Sequence, residues 1–506
     1  MYLHVFALLS ILLVFTCYFI FQHSKTILHP FIPVCVLLCL GLLIRMILAI
    51  KVFGYGFDII FFSDWSARMI QYGPSGFYTE DMLTDYPPLY MYVLYVIGRI
   101  RAHFHIAQFS AMDLLMLKSP AICCDILCSF LIYWESRKAA KLSELQSICM
   151  MSVYLFHPVV ILDSACWGQV DSILALFIVV LCICLKNHWL VPAYAIYGIG
   201  VLSKPQMLVF TPVLLVGIWD HVFLKDFSWK KFFCHLGSGI CVIAGMVMFS
   251  IPFGLTKVIA QYTSTLGSYS FATVNGFNFW ALIGMNGVEQ DSNFLFLPAR
   301  IWGSIAILLI VLFTFVIAKH CQDAPYKYYL LSAFIILTMF TFSVRMHERY
   351  IFPGIVLLVF LLIYKPIIPI WICYGGFSFL TFYNIGWVLR NYGDFVYHND
   401  KPLIRLVAAG IVGCLIYFYY VIVNIVSFTL YLKNHSKRIA SAFFLLTCSP
   451  IWLISAGHYT LSALPLFQLE GDWLQRHENR KFPILLFSSM LMMLYFVRYF
   501  RWKQIM

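Results

Sequence analysis

FIPVCVLLCLGLLIRMILAI, residues 31–50, is the segment from which the architecture follows, because it stays almost entirely apolar over 20 residues. A helix needs about 20 such residues to cross the hydrocarbon core of a bilayer. Similar runs recur throughout the 506 residues, of which 62% are hydrophobic and only 11% charged, with a mean hydropathy of +0.87. Soluble domains carry about 25% charged residues. The composition therefore excludes a soluble multidomain protein and predicts an all-α, polytopic membrane protein.

The apolar runs predict roughly 13–15 transmembrane helices, because several boundaries between runs are soft. The candidate spans are about 5–22, 31–50, 117–134, 147–163, 171–186, 189–203, 206–219, 235–253, 301–318, 328–344, 350–364, 366–385, 406–430, 440–456 and 483–500. The segments 189–203 and 206–219 are short enough to be half-length helices that meet near Lys204. The apolar N-terminus lacks a basic start and a small-residue cleavage site, so we expect a retained span and not a signal peptide. No repeat or linker divides the chain, which predicts one domain over residues 1–506.

Basic residues indicate which loops face the cytoplasm. Lys and Arg cluster in short loops near residues 137–141, 225–231, 319–327 and 433–438 and in the C-terminal tail, and the positive-inside rule assigns these loops to the cytoplasm. Alternation then predicts large extracytoplasmic loops at about 51–116, 254–300, 386–402 and 457–482. The net charge of +12 includes no basic cluster that could follow a nucleic-acid backbone. Carboxylates concentrate on the predicted outer side, and a functional site on that face would explain them.

A first polar group follows the second span. In GYGFDIIFFSDW, residues 54–65, Asp58, Phe62 and Trp65 have the spacing of one helix face, whereas Asp64 projects elsewhere. Asp58 at a helix start, against an aromatic wall, would be stabilised by the helix dipole and partly desolvated. The alternative is that Asp58 is an N-cap of an interfacial helix.

Two further groups also contain acids at predicted helix boundaries. Asp85 opens the motif DYPP, residues 85–88, where an Asx-turn is the structural alternative to a paired-carboxylate site. The motif WGQVDS, residues 167–172, places Trp167, Gln169 and Asp171 between two spans. An N-cap explains Asp171 but not the neighbouring Trp and Gln. Membrane-interface belts supply another reason for the Trp.

A fourth group, RMHERY at residues 345–350, is basic although it lies on the predicted outer side. Arg345, His347 and Arg349 there favour a bound phosphate, which two guanidinium groups can hold. Snorkelling to lipid headgroups is the alternative. Lys204, in the motif SKPQ at residues 203–206, adds a cation on the same side. Carboxylates for base chemistry beside cations for a phosphate are what sugar transfer from a lipid phosphate to a hydroxyl requires.

These motifs, in this order, resemble the GT-C superfamily of membrane glycosyltransferases. The likeness is nearest to bacterial mannosyltransferases related to the GPI-anchor second-mannose transferase, which are similar in turn to the dolichyl-phosphate-glucose glucosyltransferases. It includes KSPAI from residue 118 with Asp125, and runs from about residue 40 to 365. The resemblance implies a catalytic part at about 31–365 followed by C-terminal helices at about 366–506.

The resemblance also implies roles for individual residues. The family's catalytic aspartate corresponds to Asp58, and the acid of its Asp-Tyr-Pro-Pro motif to Asp85. The family histidine associated with the donor phosphate corresponds to His347, and the lysine before its Gln to Lys204. Asp64 departs from the pattern, because it places a second acid beside Asp58 and leaves open which of the two is the base.

We therefore expect an enzyme that moves a hexose, mannose or glucose, from a polyprenyl-phosphate donor to an extracytoplasmic glycan or glycolipid acceptor with inversion. Asp58 would be the general base, with Asp85 as a second catalytic carboxylate. The phosphate ligands would be Arg345, His347, Arg349 and Lys204, and the residues lining the substrate would be Asp64, Trp65, Trp167, Gln169 and Asp171. The lipid-linked sugar is a co-substrate, no metal or other cofactor is expected, and the surrounding partners are membrane lipids.

Two alternatives stay open at this stage. A transporter or flippase of a lipid-linked glycan would also need ionisable residues and interrupted helices, but at the midplane of the membrane. The spelling of the motifs favours a bacterial plasma membrane, and an endoplasmic reticulum membrane would keep the same topology. The donor sugar is open as well, because hexose epimers differ by one hydroxyl orientation.

Overall fold

The computed structural model describes residues 31–79, 84–224, 227–267, 269–391 and 402–431, together with Tyr18. Its α-helices are α1 Phe31–Lys51, α2 Gly56–Tyr72, α3 Pro88–His103, α4 Ala111–Lys138, α5 Glu144–Leu155, α6 Pro158–Ile161, α7 Asp171–Lys186, α8 Leu190–Ser203, α9 Thr211–Ile218, α10 Trp229–Ser250, α11 Leu255–Gly267, α12 Phe279–Leu282, α13 Ala299–His320, α14 Lys327–Phe342, α15 Phe352–Tyr364, α16 Ile368–Asn391 and α17 Pro402–Tyr431. Short strands are β1 Thr273–Val274, β2 Asn293–Phe294, β3 Leu297–Pro298 and β4 Met346–His347.

Seven helices of the described part are long and apolar enough to cross a membrane. An eighth span results if α5 and the helix Pro158–Trp167, which bends away from it by 44°, are one interrupted segment. The spans are Ile32–Lys51, Ala111–Lys138, Pro205–Phe223, Trp229–Phe253, Ala299–His320, Ile368–Asn391 and Pro402–Val426. This confirms a helical, multi-pass membrane architecture.

Twelve of the fifteen candidate spans fall within the described residues, where seven or eight segments have the length and hydropathy of a full span. Three apolar helices, α8, α14 and α15, have 14, 16 and 13 residues. At about 1.5 Å per residue, each is shorter than the roughly 30 Å of a bilayer core. The chain does break at Lys204, between α8 and a 3-10 helix over Pro205–Phe210, as the half-length helices suggested. The predicted spans 440–456 and 483–500, and 5–22 apart from Tyr18, lie outside the described residues.

The predicted outer loop 51–116 contains two helices, α2 and α3, that pack against each other and against α4. Their contact is an aromatic core in which Phe62, Trp65, Tyr86 and Tyr90 are all at most 5% exposed. The apolar stretch after Pro88 is therefore a packed helix with its own buried side. This packing keeps the first turn of α2, and with it Asp58, at a defined place.

The outer loop between α11 and α13 is joined to the segment that precedes α15. Strand β1 pairs in parallel with β4, which sets Thr273 opposite Met346 and Val274 opposite His347. Asn384 on α16 fixes the same loop, since it accepts a hydrogen bond from the Phe277 amide and donates one to the Asn275 carbonyl, at 2.8 and 2.7 Å. The position of His347 therefore depends on two distant parts of the chain.

Candidate active site

Asp58 lies in the first turn of α2, where one of its two carboxylate oxygens is held by side chains from another segment. Oδ2 accepts hydrogen bonds from Trp167 Nε1 at 2.7 Å and from Gln169 Nε2 at 2.8 Å. Tyr55 occupies the N-cap position of α2, and no side chain caps the helix there. Asp58 is thus not an N-cap. Among the described residues, no group donates a hydrogen bond to its Oδ1, and the side chain is half-buried.

The two donors to Asp58 are themselves fixed. Gln169 is fully buried, and its Oε1 accepts from Tyr86 Oη at 3.0 Å, which leaves the amide nitrogen directed at Asp58. The Trp167 ring stacks on Tyr55 with centroids 4.6 Å apart. Gly168 allows the turn between the two donors, because its φ of +91° is one that residues with a side chain rarely adopt.

The cations of the site are paired with carboxylates. Lys204 Nζ donates to Asp171 Oδ1, and Arg349 Nε lies 3.6 Å from Asp171 Oδ2. Arg349 Nη1 also donates to Glu348 Oε1 at 2.8 Å. All four residues are at most 9% exposed. Asp171 is the first residue of α7, but Val170 is the N-cap of that helix, so Asp171 serves as the counter-ion of two cations and not as a cap.

Arg349 connects these ion pairs to Asp58. Its guanidinium carbon lies 5.8 Å from the centre of the Trp167 ring, the ring whose nitrogen donates to Asp58. Burial acts to lower the pKa of Arg349, but the carboxylates of Asp58, Glu348 and Asp171 outweigh it and raise that pKa well above its usual value. The guanidinium therefore stays charged in a buried, predominantly acidic setting.

Asp85 belongs to the same group of charges, although it makes no direct ion pair among the described residues. Burial raises the pKa of Asp85, and the Asp58 carboxylate adds to that rise, while Arg349 and Lys204 oppose it. Asp85 also lines a narrow cleft between its loop and α11, together with Pro205. The charge of Asp58 thus acts on Asp85, and a paired-carboxylate site stays a prediction.

His347 is buried in β4 and its ring contacts Tyr269, with centroids 4.5 Å apart. Nε2 is buried and has no hydrogen-bond partner among the described residues. Burial lowers the pKa of His347 well below its usual value, and the charges of Arg349 and Lys204 lower it further. The imidazole is accordingly neutral at pH 7, and a ligand oxygen would meet it as a hydrogen-bonding group and not as a cation.

Three of the residues expected from sequence lie apart from this cluster. Arg345 adopts a φ of +65° and its Nε donates to Gln290 at 2.9 Å, within the outer loop. Asp64 is exposed, and its Oδ1 accepts a hydrogen bond from Gln108 Nε2 at 3.5 Å. Trp65 packs inside the α2–α3 core, where it is 3% exposed. Trp65 thus belongs to the aromatic core that α2 shares with α3.

Sequence reasoning assigned no role to three residues that belong to the cluster. Tyr86 orients Gln169, and Glu348 is a counter-ion of Arg349. Asp163 is fully buried with neither carboxyl oxygen hydrogen-bonded among the described residues, and its nearest charges are Asp171, Lys204 and Arg349. Tyr86 and Glu348 lie inside quoted motifs. Asp163 lies in a π-helical turn, Leu162–Trp167, that hydropathy does not reveal.

Comparison with known proteins adds no identification. No protein-family model matches the chain, and no curated protein sequence matches it significantly. Among the described residues, no three His, Cys, Asp or Glu side chains are grouped so that they could hold a metal ion.

The arrangement combines two chemical capacities. Asp58 offers one oxygen fixed by two donors and a second oxygen able to accept a proton. Arg349 and Lys204 supply buried positive charge within the same cluster, and His347 adds a neutral imidazole. An anionic group bound beside these three, with a hydroxyl at Asp58, would place a proton acceptor and a charge stabiliser at opposite ends of one reaction.

Proposed function

We propose that the protein is a membrane glycosyltransferase that moves a hexose from a polyprenyl-phosphate donor to a hydroxyl of a glycan or glycolipid. The observation that carries this proposal is the Asp58 carboxylate. One of its oxygens is immobilised by Trp167 and Gln169, and the other has no partner among the described residues. A general base needs this combination of fixed direction and open lone pair.

In the proposed reaction, Asp58 Oδ1 takes the proton of the acceptor hydroxyl as its oxygen attacks the anomeric carbon of the sugar. The bond between that carbon and the phosphate oxygen breaks, and its electron pair leaves with the lipid phosphate. One displacement inverts the anomeric configuration. The leaving phosphate needs no proton, because its charge can be stabilised by cations.

Arg349 and Lys204 are the groups that would stabilise the leaving phosphate. Both are buried, and buried charges act more strongly than charges in water because fewer solvent dipoles screen them. A phosphate would compete with Asp171 and Glu348 for them, and His347 Nε2 would be available as a neutral hydrogen-bond donor in the appropriate tautomer. We now assign Arg345 a lesser part, since its side chain is directed to Gln290.

Purified protein incubated with polyprenyl-phosphate [¹⁴C]mannose or [¹⁴C]glucose and an extract of membrane glycolipids tests the proposal. Transfer releases free polyprenyl phosphate and labels the acceptor. The Asp58→Asn variant should form both products at least about a hundredfold more slowly than the wild type, whereas Asp64→Asn should match the wild type. Absence of lipid-phosphate release with both donors by the folded wild type would count against a transferase.

One observation favours a transporter of lipid-linked glycans as the second candidate. The α5–Trp167 segment is interrupted by a 44° bend and carries the buried Asp163, and discontinuous helices with ionisable residues are typical of transport sites. In liposomes, a transporter would move the labelled lipid between leaflets without releasing lipid phosphate.

A further inference from the structure

Lys118 is fully buried in α4, yet no carboxylate among the described residues lies within salt-bridge distance of it. Asp125, seven residues along the same helix, is committed instead to Arg45 at 3.0 Å and to the hydroxyls of Ser164 and Ser172. A buried ammonium group without hydrogen bonds would cost several kcal/mol, on the order of the penalty for other buried ions. The hydrogen-bond partners of the Lys118 ammonium group therefore indicate its role.

The partners of Lys118 Nζ are four backbone carbonyl oxygens from two separate segments. Those of Ala49 and Val52, at 3.4 and 2.6 Å, end α1 and lead into the loop before Asp58. Those of Ala165 and Cys166, at 3.1 and 3.3 Å, end the π-helical turn and lead into Trp167. Helix C-termini carry partial negative charge and unpaired carbonyls, so one ammonium satisfies two such ends together.

The same two segments also contact each other directly, at Tyr55 and Trp167. The Tyr55 amide donates to the Trp167 carbonyl at 3.1 Å. Gly54 makes this approach possible, because a Cβ at that position would come within 2.4 Å of the same carbonyl oxygen. Asp58 and its donor Trp167 therefore sit just beyond a junction whose buried charge is Lys118.

We infer that Lys118 is a positioning residue that joins the segment bearing Asp58 to the segment bearing Trp167 and Gln169. It touches none of these side chains' polar atoms and acts through the backbone of both segments. Its influence on sugar transfer rests on the proposed function, but its influence on the two segments does not.

Amide hydrogen–deuterium exchange of the full-length protein in detergent tests the structural part. Lys118→Met, which keeps an unbranched side chain of similar length but removes the ammonium group, should speed exchange in residues 52–58 and 165–170 together, by about tenfold or more. Lys186→Met is the matched control, because it removes a buried ammonium that binds Glu135 and Tyr364 elsewhere. Unchanged exchange in both segments, or the same increase in the control, would overturn the inference. Lys118→Gln, which keeps N–H donors without charge, replaces the Met variant if that variant does not fold.

A double-mutant comparison of transfer rates tests the catalytic part. Trp167→Phe removes the donor to Asp58 and keeps an aromatic ring. Lys118→Met alone should lower kcat by about tenfold to a hundredfold, the cost of an approximately 1 Å misplacement, with donor KM changed less. Because both substitutions act on the contact between Trp167 and Asp58, kcat of the double variant should be only slightly lower than kcat of the less active single variant. If the fold-losses in kcat of the two single variants instead multiplied in the double variant, Lys118 would not act through Trp167. A wild type without any transfer would refute the proposed function while leaving the exchange result valid.

Discussion

Asp58→Asn changes one atom of the cluster and almost none of its volume. The amide oxygen of Asn can take the place of Oδ2 and accept the hydrogen bonds from Trp167 and Gln169, which at present measure 2.7 and 2.8 Å. The amide nitrogen then faces the position of Oδ1. That nitrogen has no lone pair for a proton, so the variant keeps the geometry and loses the base.

The expected loss follows from this substitution. General-base catalysis contributes about 10²–10⁴-fold, or about 3–5 kcal/mol of barrier at about 1.4 kcal/mol per tenfold. Hydrogen bonds to a charged acceptor are worth about 1.5–3 kcal/mol and neutral ones about 0.5–1.5 kcal/mol. The variant should therefore also be slightly less stable, so rates must be referred to folded protein.

The assay is release of polyprenyl phosphate under saturating donor, with thermal unfolding followed on the same samples. Donor KM should change little, because Asp58 would contact the acceptor and not the donor phosphate in the proposed reaction. Asp64→Asn is the matched control, since Asp64 lies on the same helix but is exposed and bonded only weakly to Gln108. Wild-type turnover in Asp58→Asn, or loss of turnover in Asp64→Asn, would refute the assignment of the base.

Three further outcomes are expected. Arg349→Lys should raise donor KM about tenfold, because lysine lacks the guanidinium group that reaches both Asp171 and Glu348. Arg345→Ala should raise donor KM less than threefold, because the Arg345 side chain is bonded to Gln290. Equal effects of the two substitutions in donor titrations would contradict a closer role for Arg349. Tyr86→Phe should reduce kcat several-fold and stability by about 1 kcal/mol, since Gln169 loses the bond that orients it, as rate and melting curves would show. His347→Gln should weaken the pH dependence of stability. Burial lowers the pKa of His347 in the folded protein, so on acidification the unfolded chain is protonated at this residue first. The free energy of unfolding should therefore fall as pH drops below about 6.5, by at most about 1.4 kcal/mol per pH unit. Melting temperatures at pH 7 and 5 measure this, and an unchanged slope in the variant would contradict it.

The membrane architecture was readable from sequence because hydropathy needs no tertiary information. Helix lengths were not, since the breaks arise from local backbone geometry. The 44° bend after α5 falls at His157 and Pro158, and the π-helical turn that ends at Trp167 contains Asp163, yet the two helices together are apolar enough to pass as one span. Counting such runs as full spans overestimated the number of spans in the described part of the chain.

Residue type and motif spacing selected several residues that the fold also brings near one another, and their role as a site stays a prediction. Asp58, Asp85, Lys204, His347 and Arg349 come from four outer segments, and the fold brings them into one electrostatic group. Direction within a motif was not readable. Arg345 and Arg349 are four residues apart in the same basic motif, but the positive φ at Arg345 turns its side chain towards Gln290.

The pairing of Lys204 and Arg349 with Asp171 and Glu348 bears on turnover in the proposed reaction. A sugar phosphodiester carries one negative charge, whereas the free lipid phosphate left behind carries nearly two, so product would bind the cations more tightly than donor does. The carboxylates of Asp171 and Glu348 already lie within ion-pair distance of Arg349, so they would compete with the lipid phosphate for it. In the proposed reaction, the two carboxylates would replace the lipid phosphate at the cations and so speed its dissociation from the enzyme. Removing Glu348 should therefore slow product escape before it affects the chemical step.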